Sequence, residues 1–160
     1  MKPVLLRSLA LLVLLAVPAM VSADNMIMGR AALRAEIVLE YVKSSIEEHG
    51  YSIAHVQLCD GGMKDFGYTS DVYRVVFFGK IDEVRRISEQ YPELVSYLPL
   101  KIAVIAEKDE TLLSVLNPRA LTPFFGDEQL QIQFSRWHSD LKSIFQDVRR
   151  NVAGHVANSG

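Results

Sequence analysis

Two apolar runs, Leu100–Ala106 and Leu112–Leu116, flank the charged stretch Glu107-Lys108-Asp109-Glu110. Aliphatic and β-branched residues bounded by charged and proline punctuation predict strands. A connection this short makes the two strands antiparallel neighbours. Pro99 stands at the start of the first, where its missing N–H costs little. Asn117-Pro118 ends the second, because proline cannot donate to a ladder.

Before this hairpin the apolar period is mixed. In Ala31–His49, Leu33, Ile37, Tyr41 and Ile46 follow helical spacing, and Val38 and Val42 widen the stripe. Glu36, Glu40, Lys43 and Glu47 fall largely outside it, and Gly50 stands where a left-handed C-cap is expected. Tyr51–Leu58 alternates as a strand. Cys59–Ser70, with three glycines and two aspartates, predicts a long loop. Asp71–Phe78 predicts a further strand, and Val75-Val76-Phe77-Phe78, apolar on both faces, predicts cover on both sides. Gly79–Gln90 predicts a second helix with Ile81, Val84, Ile87 and Tyr91 on one face. Pro92 interrupts it, and Glu93–Tyr97 adds a turn.

After the hairpin, Pro118–Gly126 is irregular. A long helix is then predicted from about Asp127, a suitable N-cap, to Ala153, with Gly154 as its stop. Its apolar residues Leu130, Phe134, Trp137, Leu141, Ile144 and Val148 recur in alternating steps of four and three, and Phe145 and Val152 reinforce that seam. Packing on the chain's own sheet is favoured over pairing with another protomer, because coiled coils sustain such a seam for longer. Tight strand pairs separated by helices give an α+β fold. The expectation is a mainly antiparallel sheet of about four strands packed with helices, and a long C-terminal helix.

The first 23 residues stand apart from this pattern. Lys2 and Arg7 form a basic start, Leu9–Val17 is uncharged and apolar, and Val21-Ser22-Ala23 offers a cleavage site after Pro18. That is the layout of a secretory signal peptide, and the apolar run is short for a membrane span. The expected mature chain is a single domain, residues 24–160, periplasmic or secreted, with no membrane attachment after cleavage. Without Lys2 and Arg7 it carries 15 basic and 19 acidic residues, a mild acidity that gives no general attraction to nucleic acid. Cys59 is the only cysteine, so no intramolecular disulfide can form.

Candidate chemistry is sparse. Gly61-Gly62 lacks the context of a phosphate loop, and neither GxSxG nor HExxH occurs. His49, His138 and His155 fit surface or structural roles. Asp60, Asp65 and Asp71 flank the glycine-rich loop, where turn formation accounts for them. Arg85-Arg86, Lys101, Arg119, Arg136 and Arg149-Arg150 are scattered without the aromatic interleaving that nucleic acid favours. One cluster stands out. His55 and Cys59 share parity along their strand, and Met63 follows four residues later. Imidazole, thiolate and thioether together suit a soft cation such as copper. The competing reading makes Cys59 a small apolar residue and Met63 a gap filler. Met26 and Met28 could add thioethers. Covalent haem is excluded because CxxCH is missing, and noncovalent haem stays open.

The string from Val76 to Leu121 also resembles a known family, domain of unknown function 302. The residues that carry the resemblance are the strand VVFF, the helix opening IDEVRRISEQ, and PELVSYLPLKIAVIAEKDETLLSVLNPRAL. Within them stand Pro92, Leu98-Pro99, Val104, Asn117-Pro118 and Ala120-Leu121, and Gly50-Tyr51 matches a glycine–aromatic pair common in members. The resemblance implies a compact α/β unit, often dimeric. Many members carry cysteines where this chain has Gly79 and Leu100, so no thiol role transfers. The expectation is an exported, noncatalytic module that binds a small ligand or a protein, with a homo-oligomer among its partners and no cofactor. The alternative is a copper- or redox-linked protein using His55, Cys59 and Met63.

Overall fold

The computed structural model describes residues 25–69 and 71–159. The expected signal peptide, residues 1–23, lies outside them. Among the described residues five strands, β1 (Met26–Ala31), β2 (Ser52–Leu58), β3 (Tyr73–Gly79), β4 (Leu100–Glu107) and β5 (Glu110–Leu116), form one antiparallel sheet in the order β1-β5-β4-β3-β2. The helices are α1 (Ala35–Glu48), the single turn α2 (Asp60–Lys64), α3 (Ile81–Gln90) and α4 (Glu128–Ser159). Two 3-10 segments, Pro92–Tyr97 and Pro118–Phe124, precede β4 and follow β5. The fold is α+β, with the long C-terminal helix in place. No described helix is long and apolar enough to cross a membrane.

The core lies between one sheet face and the α1–α4 pair. Alternate residues Val76 and Phe78, Ile102 and Val104, and Leu113 and Val115 point into it and are buried. Val38, Val42 and Ile46 of α1 meet them, with Phe134, Leu141 and Ile144 of α4. Each such side chain contributes about 1.5–3 kcal/mol of transfer free energy on burial. All six seam residues of α4 are buried within the chain itself, so the seam serves own-chain packing. Asp127 accepts from Leu130 N–H at 3.1 Å and caps the helix.

The structure departs from the sequence reading in five places. Met26–Ala31 is a fifth strand, and it displaces the start of α1 from Ala31 to Ala35. Its Gly29 and Arg30 break any apolar run, and its formation depends on β5 as a partner. The stripe of α1 centres on Val38 and Val42, with Ile37 and Tyr41 half-buried. The glycine-rich loop carries the turn α2, pinned by Asp60, which receives Tyr73 N–H and, at 2.6 Å, Arg74 Nη1. β3 is covered on one face only, leaving Val75 and Phe77 half-buried on the other. Finally, α4 runs through Gly154 to Ser159, where Tyr41 and His155 Nδ1 hydrogen-bond at 2.9 Å and hold the extra turn on α1.

Candidate functional site

The sheet face away from α1 and α4 carries Met26 and Met28, Leu112, Ser114 and Leu116, Lys101, Ala103 and Ile105, and Val75 and Phe77, by alternation from the buried set. Register places Met28 opposite Ser114, Ser114 opposite Ala103, and Ala103 opposite Val75. Met26, Met28 and Leu116 are 44%, 60% and 41% exposed, which makes this face unusually apolar for one turned to solvent.

A cleft opens at one end of this face. The β4–β5 ladder runs from Glu107–Glu110 to Ala103–Ser114 and stops. The flanking ladders go further: β4 stays paired to β3 as far as Leu100–Phe78, and β5 to β1 as far as Leu116–Met26. The two central strands therefore part beyond Ala103 and Ser114. Pro99 and Pro118 lie just outside the parted ends, and neither can donate a hydrogen bond that would extend the ladder. The opening has a volume of about 360 Å³. Its walls come from both sheet faces: Val75, Ala103 and Ser114 from the free face, Val115, Leu121 and Trp137 from the core side. It thus leads from the surface toward the buried indole of Trp137.

The floor is anchored. Trp137 Nε1 donates to Glu83 Oε2 at 2.9 Å, and Glu83, largely buried on α3, also pairs with Arg136. With its N–H engaged, the indole presents hydrocarbon to the cleft. Among the described residues, Lys101 is the one charged residue lining the cavity. Its Nζ stands 5.9 Å from the Phe77 ring centre and 3.4 Å from the Ser96 carbonyl oxygen.

The cluster singled out in the sequence lies elsewhere. His55 is exposed on β2 opposite Phe77, and its Nε2 meets Gln57 Oε1 at 3.3 Å. A bulge between Ile53 and His55 shifts the strand's alternation. Cys59 follows β2, half-buried, its Sγ 3.9 Å from the Gln57 carbonyl oxygen. Met63 is in α2. No hydrogen bond, ion pair or ring contact joins any two of His55, Cys59 and Met63 among the described residues. Nor does any described group of three or more His, Cys, Asp and Glu stand ready to hold a metal ion. Burial pushes the Cys59 thiol above its ordinary range, and the Asp60 carboxylate adds to that.

Sequence reasoning missed the cleft because its residues carry no catalytic type. The available signal was alternation in the hairpin. Lys101, Ala103 and Ile105 of β4 lie on the same sheet face as Leu112, Ser114 and Leu116 of β5, and the two smallest members meet at the fork.

The family described as "Domain of unknown function DUF302" matches residues 30–148, spanning both walls of the cleft except Met26. The chain belongs to the DUF302 family. A crystal structure of an uncharacterized conserved DUF302 protein from Bacillus stearothermophilus superposes with a TM-score of 0.69 at 15% identity, covering 79% of this chain and 100% of that one. At that identity the likeness speaks for the fold. No protein in the curated collection matches. The DUF302 match thus contains the whole sheet apart from most of β1, and α4 as far as Val148.

Proposed function

We propose that this DUF302 protein is an exported, noncatalytic binding module that takes a small apolar ligand in the cleft between β4 and β5. The observation that carries the reading is the cleft itself, about 360 Å³ and lined by apolar side chains apart from Lys101, Ser114 and the edge of Tyr97. That volume falls within the range of small-molecule sites, and apolar walls with a few polar groups are their usual make-up. Native and denaturing mass spectrometry of the purified protein tests it. A noncovalent ligand retained by the native chain, and lost from Ala103→Phe, whose ring fills the cleft from the free face, is the expected result. Equal occupancy in both proteins would place the ligand elsewhere.

The exposed methionines and Leu116 favour a second reading beside the first. A second copy of the chain, or another protein, would cover the free sheet face. Light scattering checks it: Met28→Lys, on the edge strand β1 of that face, should lower the mass if two copies meet there. For export, N-terminal sequencing of the secreted form should begin at Asp24.

A further inference from the structure

We propose that the cleft selects apolar monocarboxylates, with the anion held at Lys101 and the hydrocarbon body reaching past Ala103 and Ser114 to Trp137. The inference rests on the reading of the cleft as an apolar-ligand site and adds the class of ligand.

Three observations carry it. Lys101 is the one charge on the wall of the cavity, and it forms no ion pair among the described residues. Among the described residues Arg30, Arg74, Arg136 and Arg150 have carboxylate partners; surface cations such as Lys64 and Lys142 share the unpaired state of Lys101, but Lys101 is the one that lines this cavity. An ammonium beside an apolar wall, lacking a protein carboxylate, complements a single negative charge and repels a cation. Second, Lys101 and Leu116 stand where the strands have parted, so the peptide edges of β4 and β5 face each other there with no ladder between them. A carboxylate at this fork meets backbone N–H groups as well as the ammonium, and such charge-assisted contacts are the stronger kind. Third, size sets the body. An apolar cavity of about 150 Å³ takes benzene. The 360 Å³ here suits a body of roughly a dozen carbons. The deep end, at Leu94, Leu121 and the indole of Trp137, offers hydrocarbon and no charge.

Trp137, the single tryptophan of the chain, reports on the cleft directly. The experiment titrates the purified protein with dodecanoate and with dodecanol, both below self-association, and follows tryptophan emission. Dodecanoate should saturate the signal about tenfold more tightly than the alcohol, the scale of one charge-assisted contact. Lys101→Met should abolish that preference while keeping dodecanol binding, since Lys101 is exposed and its loss leaves the core untouched. Ala103→Phe should abolish both signals. Circular dichroism confirms that each variant is folded, and Lys101→Gln stands in for Lys101→Met if that variant is not. Equal affinity for acid and alcohol in the unaltered protein overturns the carboxylate proposal and leaves the apolar site standing. So does a preference that survives Lys101→Met. Binding of neither probe overturns both readings.

Discussion

Cys59 sits at the end of β2 with its thiol half-buried and its acidity suppressed by burial and by Asp60. The thiolate is the reactive form, so a raised pKa means a slow nucleophile. Thiol reagents at neutral pH should modify Cys59 slowly in the native protein and quickly in denaturant, and Cys59→Ala should leave tryptophan-detected binding unchanged. A copper(I) titration giving one saturable site, weakened by Cys59→Ser, His55→Ala and Met63→Leu alike, would instead assemble the three ligands. A second single residue tests the sheet. Val104 is fully buried in β4 between the helices and its neighbours. Val104→Asp places an unpaired charge there, at a cost of several kcal/mol, comparable to the whole stability of a domain. The expected outcome is loss of the cooperative melting transition.

At the scale of elements, α4 separates buried from exposed positions sharply. Phe134→Ala should cost about 3–5 kcal/mol, whereas Ile132→Ala, 64% exposed on the same helix, should change the urea midpoint little. Paired denaturation curves decide it. This helix, the hairpin and their caps were legible because local rules fixed them: the steps of four and three, Asp127 as an N-cap and the short charged turn. The helix end was not. Gly154 stops nothing because its C-terminal turn is held from outside by the Tyr41–His155 bond. β1 was invisible for a related reason. Six residues containing Gly29 and Arg30 make no pattern, and only the edge of β5, with Arg30 reaching Glu107 at 3.0 Å and Glu110 at 2.8 Å, draws them into a strand. The cleft was illegible because it arises from two ladders of unequal length, and register is a property of strand pairs.

For the whole molecule, acid sensitivity follows from ion pairs that close loops. The Arg74 guanidinium holds the Asp60 carboxyl below the usual carboxylate range, and His49, then Arg150, do the same for Asp147. A carboxyl with a depressed folded pKa stabilises above its unfolded pKa of about 3.9, and that contribution is lost as pH falls through the folded value. Stability should therefore be insensitive to Asp60 titration between about pH 5 and 7 and fall below about pH 4. Asp60→Asn should flatten that acid limb, as read from urea midpoints measured across the range. A limb of unchanged steepness would mean that the pair does not hold in solution.

The parted strands also set how the molecule breathes. The hairpin end of β4 and β5 is bonded on both sides of each strand, while at the fork each keeps only its outer neighbour. Local opening starts where backbone bonds are fewest. Deuterium should therefore enter peptides covering 100–103 and 114–116 before those covering 104–107 and 110–113, so that the sheet unzips from its cleft end, and an occupant of the cleft should slow that first exchange.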